Sequence, residues 1–203
     1  MNPRFAIALF LAGLLSLGGI VVGLLGRSAD EPEAAGRQFE GSVLPPGVRA
    51  PDFALQNQDG ETIRTSDLRG RPAVVTFMYT NCEDTCPPQA QQIKGAMDEL
   101  GHDVPAIAVA VDPPDDTARS ARRFLIENRM TGRLDFVLGR RDELEPVWRG
   151  FHTRGKTATA DHQGRITLLD ARGHQRVSFP IDQATPTRIA HDLRLLEAET
   201  ERG

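Results

Sequence analysis

The sequence predicts an α/β fold, a sheet covered by helices and preceded by one apolar N-terminal span. Three observations carry this. Ala73–Met78 (AVVTFM) and Ala106–Val111 (AIAVAV) are short, apolar, β-branched runs of the kind buried on both faces of a sheet. Helical spacing follows each of them. A pair of runs split by a turn closes the pattern.

The N-terminus comes first. Phe5 to Leu25 carries no charge, and as a helix it would extend about 31 Å, close to a hydrocarbon core of roughly 30 Å. Arg4 and the amino terminus precede it, while Asp30, Glu31 and Glu33 follow Arg27. That asymmetry places the N-terminus in the cytoplasm and the rest of the chain outside it, in the periplasm or an equivalent space. The competing reading is a cleaved signal peptide. Its apolar stretch would be unusually long, and Gly26-Arg27-Ser28 is a poor cleavage site. Both readings export the remainder of the chain. Residues 1–26 are therefore expected to anchor the chain and residues 27–47, polar and rich in Pro and Gly, to tether it. Residues 48–198 should fold, and 199–203 form a short tail.

Within the folded part, Phe53–Leu55 and Thr62–Arg64 flank the turn Asp59-Gly60 and predict a hairpin. Ser66-Asp67-Leu68 starts one helical turn. After the Ala73 strand, Thr85 to Leu100 is helical, with Ile93, Met97 and Leu100 on one face and Gly101 just past the end. The Ala106 strand leads to a helix from Asp116 to Asn128, capped by Asp115-Asp116. Leu134–Leu138 is a third strand, and Asp142 to Arg149 is a short helix despite Pro146. Ile166–Leu169 and Val177–Phe179 make a hairpin around Asp170–Gly173. A helix from Thr185 to Glu197, with Ile189, Leu193 and Leu196 on one face, ends the series. Strands alternating with helices, then a hairpin and a helix, describe a thioredoxin-like sandwich with an N-terminal β-hairpin.

Composition removes several functions. A net charge of −4 and the lack of any basic run exclude nucleic acid as a main partner. Aromatic residues make up only 5%, so Val, Ile, Leu and Ala must fill the core. Two cysteines cannot build a disulfide scaffold. What distinguishes them is that they stand together, in Thr80-Asn81-Cys82-Glu83-Asp84-Thr85-Cys86-Pro87.

A structural staple at Cys82 and Cys86 would close a loop of about five residues, stabilising by about 2 kcal/mol against roughly 3 for a loop of about fifteen. Both thiols instead flank a helix start, where the macrodipole favours thiolate. Two uses of such a pair remain. One is thiol–disulfide exchange, with one cysteine attacking and the other resolving. The other is a soft-metal site, since two thiolates suit Cu(I) or Zn, and Cu(II) when an imidazole joins. The spacing has three intervening residues where common thioredoxin-like reductases have two. A third ligand would come from His102, His152, His162, His174 or His191. His102 follows a helix end, His174 sits in a turn and His191 on the last helix, positions that suit solvated or packed side chains. His162 follows Asp161 and shortly precedes the Ile166 strand, in a loop that packs on the active-site helix start in folds of this kind. It is favoured over His152.

The stretch Val75-Thr76-Phe77-Met78-Tyr79-Thr80-Asn81-Cys82-Glu83-Asp84-Thr85-Cys86-Pro87 resembles the cysteine signature of the Sco/SenC proteins. Val111-Asp112-Pro113 with Asp116-Thr117 resembles that family's strand end. Asp161-His162, with Leu169-Asp170 and Gly173 beyond, resembles its Asp-His motif. Ala50-Pro51-Asp52-Phe53 resembles its domain entry, an element shared with peroxiredoxins. The resemblance runs from about residue 48 to 198. It implies a thioredoxin-like copper protein holding Cu(I) or Cu(II) through Cys82, Cys86 and His162. It also implies a role in assembling the dinuclear copper centre of cytochrome c oxidase, as copper donor, as thiol reductant of that centre, or both. The implied partners are a copper-accepting oxidase subunit or similar copper enzyme, a thiol reductant, and the membrane through the N-terminal helix.

Some positions depart from the pattern. Asn81 stands where His or Ser is common and Glu83 where Pro is common. Glu83 is expected to favour a bound cation and to raise the thiol pKa values slightly. Met78 replaces a residue that is often small, and a core role is expected of it. Asp84 and Asp161 are candidates for orienting ligands or meeting a partner. The rival reading is a membrane-tethered thiol–disulfide oxidoreductase using Cys82 and Cys86 as a redox pair. A peroxidase is disfavoured, because Tyr79 stands where peroxiredoxins place Thr or Ser.

Overall fold

A computed structural model describes residues 39–156 and 164–202. Eight strands and four helices follow in the order β1 (Ser42–Val43), β2 (Ala54–Gln56), β3 (Thr62–Arg64), β4 (Ala73–Met78), α1 (Cys86–Leu100), β5 (Ala106–Ala110), α2 (Ala118–Glu127), β6 (Asp135–Val137), α3 (Arg141–Gly150), β7 (Arg165–Leu169), β8 (Gln175–Pro180) and α4 (Pro186–Arg202). A 3₁₀ turn at Thr65–Leu68 supplies the single turn expected there. Six strands form one sheet in the order β1-β8-β7-β4-β5-β6, and β2 pairs with β3 in a separate hairpin. The β4–β5 and β5–β6 pairs are parallel, while β7 runs antiparallel to β4.

Every residue of β4 and β5 is buried, which is why their sequences are unbroken apolar runs rather than alternating ones. Alternation still decides what each side chain meets. Thr76 lies in register with Ala108, which lies in register with Phe136, so the three share a face. Thr76 touches Gln89 of α1, and Phe136 packs edge-on against Phe124 of α2 at 5.8 Å. The opposite face carries Phe77, which meets Phe151 at the end of α3 at 5.5 Å. Helix α4 packs on α1. That approach is close, since a Cβ at Gly95 would lie 2.7 Å from Pro186. Helices thus cover both faces, as a thioredoxin-like sandwich requires.

Three expectations need correction. Helix α2 starts at Ala118 and is capped by Thr117, whose side chain accepts from Ser120 N, rather than by Asp115-Asp116. Asp116 is committed elsewhere, to the backbone of Thr80 and Asp112. Helix α4 continues to Arg202, past the end expected at Glu197, where Arg176 grips Glu199. Ordered structure also begins before residue 48. The buried Asp192 carboxylate accepts from Glu40 N at 2.8 Å and Gly41 N at 2.9 Å, and β1 then pairs with β8. A Cβ at Gly41 would lie 2.4 Å from Val177, so only glycine admits this path.

Pro146 does not stop α3. Its missing donor costs about 3 kcal/mol, but burial of Leu144, Val147 and Trp148 stabilises by about 1.5–3 kcal/mol each. Among the described residues no helix is long and apolar enough to cross a membrane. The expected span at Phe5–Leu25 lies outside the described residues.

Candidate functional site

The cysteine loop is held by its neighbours before any cysteine chemistry begins. Strand β4 ends at Met78, whose carbonyl accepts from Val111 N at 3.0 Å. The Asp116 carboxylate then takes Thr80 N on one oxygen at 2.7 Å and Asp112 N on the other at 2.9 Å. One buried side chain therefore latches the loop after β4 to the loop after β5. Burial pushes the Asp116 pKa up, against the pull of those two N–H groups. Cys82 N closes a tight turn onto Tyr79 O at 3.3 Å.

Helix α1 opens at Cys86, with Thr85 as its N-cap and no side-chain cap oxygen. A helix start normally leaves N–H groups without partners. Here Pro87 and Pro88 bring none, Gln89 N already bonds Thr85 O, and Cys86 N donates to the Cys82 sulfur at 3.2 Å. Sulfur 82 thus occupies the place of a capping oxygen. The Thr85 hydroxyl stands 3.4 Å from the same sulfur.

The two thiols are free and buried, Cys82 at 5% exposure and Cys86 at 0%. Hydrogen bonding from the Cys86 thiol, reinforced by Thr85 and the Cys86 amide, holds the Cys82 pKa at about 4 against the opposing effect of burial. Cys86 moves the other way, pushed far up by its bond to Cys82 and by burial. At neutral pH the pair holds one negative charge, on Cys82, with one proton on Cys86. Glu83 is not among the leading causes of either shift. Glu83 is exposed, and hydrogen bonds within the pair outweigh a solvated charge.

Met78 is fully buried in the core, as expected. His102 meets Glu197 at 2.8 Å, His174 meets Asp170 at 3.4 Å and His191 meets Asp192 at 2.9 Å, so all three serve surface or packing contacts. His152 is exposed at the end of α3 with φ +53°. Among the described residues no His, Asp or Glu joins the two cysteines in a metal-holding group of three. Asp161 and His162 lie outside the described residues. Asp84 is exposed beside the loop.

Two nearby residues escaped the sequence reading. Lys156 donates its backbone N–H to Val111 O at 2.7 Å and its Nζ to Asp112 at 2.9 Å, and Nζ stands 4.3 Å from the Tyr79 ring centre. No pattern marks an isolated lysine for such a post. Gln89 is fully buried and donates to Thr76 Oγ1 and to Arg165 O. It was detectable, because the apolar spacing of α1 run backward from Ile93 lands on Gln89 and Cys86.

A thiolate–thiol pair at the start of the helix that follows an inner strand of such a sheet defines a thioredoxin-like thiol protein. More narrowly, the chain belongs to the SCO1/SenC family, whose profile matches residues 45–197. It is 26% identical to the copper-bound ScoI of Bradyrhizobium japonicum, with a TM-score of 0.61, over 73% of this chain and 99% of that one. BsSco, described as a member of the Sco family of cytochrome c oxidase assembly proteins, shares the fold at a TM-score of 0.66 and 24% identity, covering 76% and 96% of the two chains. The SCO1 protein homolog of Bacillus subtilis is 33% identical over 75 residues, 36% of this chain and only 39% of the relative. Peroxiredoxin Bcp of Escherichia coli is 32% identical over 134 residues, 64% of this chain and 81% of the relative.

Proposed function

We propose that this chain is a copper metallochaperone that takes one Cu(I) or Cu(II) through Cys82, Cys86 and His162. In this reading it helps assemble the dinuclear copper centre of a cytochrome c oxidase. The observation that carries it is the pair of sulfurs drawn together at the start of α1, one of them already a thiolate. Two buried soft donors fit copper well. Loading requires Cys86 to surrender its proton, so uptake should release about one proton per copper near neutral pH. Cu(I) is satisfied by two thiolates, whereas Cu(II) calls for the imidazole as well. Asp84 and Asp161 serve as orienting or partner-contact residues. The copper-bound ScoI relative and the family membership support this assignment.

The same reading makes Phe5–Leu25 a membrane anchor and the polar stretch after residue 26 a tether, with the domain in the periplasm or an equivalent space. Its partners are a copper-accepting oxidase subunit and a thiol reductant that keeps the cysteines open to metal. One observation favours a second reading, a membrane-tethered thiol–disulfide oxidoreductase. A cysteine ionised at neutral pH is a ready nucleophile, and its thiol neighbour stands next to it to resolve a mixed disulfide.

Copper titration of the fully reduced protein, in both oxidation states and beside His162→Ala, separates the two. One-to-one binding with a sulfur-to-Cu(II) charge-transfer band that weakens in the variant supports the chaperone. Binding indifferent to His162, or none, leaves the reductase, whose defining property would be its reduction potential.

A further inference from the structure

We infer that the outward face of α2 is a docking surface for an anionic phospholipid membrane. Arg119, Arg122, Arg123 and Ile126 follow one another at i, i+3, i+4 and i+7, which puts them on one side of the helix, and all four are exposed. Arg129, also exposed, stands just past the helix end. The other side of α2, carrying Ala121, Phe124 and Leu125, is buried in the core.

Three observations point to a ligand on this face. Its cations are mostly unengaged. Arg122 donates to Gln58 O and stands 3.4 Å from Asp59. The side chains of Arg119, Arg123 and Arg129 meet no hydrogen-bond or ion-pair partner among the described residues, and Glu127, four residues after Arg123, does not pair with it. Next, Ile126 is 67% exposed in the middle of these arginines, although a polar residue there would cost the core nothing. Last, Arg129 keeps its guanidinium at a backbone φ of +55°, where glycine would sit without a Cβ penalty.

Basic side chains around an apolar one on an exposed helix match membrane-surface helices, whose cations meet headgroup phosphates while the apolar residue enters the acyl boundary. A small molecule finds no room. The hollow beside Ile126 holds about 80 Å³, whereas ligand pockets start at roughly 300 Å³. An acidic protein could also satisfy the arginines, and what favours lipid is proximity. The inference rests in this respect on the reading that Phe5–Leu25 anchors the chain. Residue 39 then lies within about 50 Å of Leu25 whatever path the chain between them takes. A domain of this length has a radius of gyration of about 15 Å, so each of its faces can reach the headgroups. Docking through α2 also bears on the cysteines. Asp116, two residues before the helix, bonds Thr80 N in the cysteine loop, so the loop is carried at the N-terminal end of the docked helix.

The test places the full-length chain in lipid nanodiscs containing a trace of lipid with a gadolinium chelate on its headgroup, and maps the broadening of amide resonances. In discs containing phosphatidylglycerol, broadening should concentrate on residues 118–129. Each arginine near an anionic surface strengthens binding about fivefold. Broadening of α2 should therefore fall about fivefold or more in discs of phosphatidylcholine alone, in high salt, and in the double variant Arg119→Gln/Arg123→Gln. Ile126→Gln should weaken it too, while Arg119→Lys/Arg123→Lys, which keeps the charge, should stay near wild type. Broadening centred on another face, or on α2 but indifferent to lipid charge and to the glutamine variants, overturns the inference. If α2 stays clear of lipid yet its resonances shift with added polyglutamate, the face belongs to an acidic protein and the lipid assignment is overturned. A chain that the discs do not retain removes the anchor reading instead. Sedimentation of that chain with phosphatidylglycerol vesicles then decides: binding lost in Arg119→Gln/Arg123→Gln upholds the α2 surface, and no binding removes it.

Discussion

At the scale of single residues, the two cysteines differ sharply although they share a pocket. Cys82 collects donors and Cys86 supplies one. The reduced, copper-free protein should show one thiolate in its absorbance near 240 nm, with a midpoint near pH 4 and no second step through pH 9. An unfolded thiol ionises near pH 8.5. Ionised Cys82 therefore stabilises the fold increasingly from about pH 4 up to about 8.5, and this contribution is lost as pH falls through 4. Neutral Cys86 contributes below about pH 8.5 and loses that contribution as pH rises above it. Urea unfolding of wild type and Cys82→Ser across pH 5 to 8 checks the first part, since serine does not ionise and its slope should be flatter. Asp116 belongs to the same scale. Asp116→Ala leaves the buried Thr80 N–H and the half-buried Asp112 N–H unpaired and should cost about 2–4 kcal/mol in denaturation. Asp116→Asn, which keeps one acceptor oxygen, should cost about half as much.

Among the elements, what the sequence made legible depended on whether the cause was local. Strands β3 and β4 run from Thr62 to Arg64 and from Ala73 to Met78 as expected, because apolar patterning and turn residues mark their ends. The cap of α2 was misread, because Asp116 looks like a helix cap but serves a contact 36 residues away, at Thr80. Strand β1 was invisible, since two residues hold no pattern and Asp192 fixes their entry from the far end of the domain. Helix ends offer a test of local preference. Arg129, just past α2, holds φ +55°, a region that glycine enters without a Cβ penalty. Arg129→Gly should raise stability by roughly 1 kcal/mol in thermal or urea unfolding. The opposite case is Gly155, where a Cβ would lie 2.5 Å from the Trp148 ring. Gly155→Ala should destabilise by about 1–3 kcal/mol and change the emission of the single tryptophan.

For the molecule as a whole, the α/β order was legible and its closure was not. Alternating strands and helices gave the layers, but nothing in the order showed that Asp192 of α4 would grip Glu40 and Gly41. The candidate site was legible in its cysteines for the same reason as β4, a motif contained in eight consecutive residues. Gln89 and Lys156 matter through partners up to 76 residues distant, and no local reading reaches that far. The closure should also be measurable. Asp192→Ala frees two amides at the start of the domain, so hydrogen exchange at Glu40 and Gly41 should accelerate at least tenfold while the core amides of β4 keep their protection.

The sulfur that caps α1 has a spectroscopic consequence. The Cys86 amide proton points at Cys82, and the two residues after it have no amide proton at all. That one backbone resonance therefore responds directly to the chemistry of a neighbouring atom. Thiolate, thiol, disulfide and metal thiolate draw on the proton to different degrees, and each should leave it at its own chemical shift. A nitrogen-15 spectrum recorded during copper loading or oxidation would follow the state of the pair at a position that carries no added label and needs no mutation.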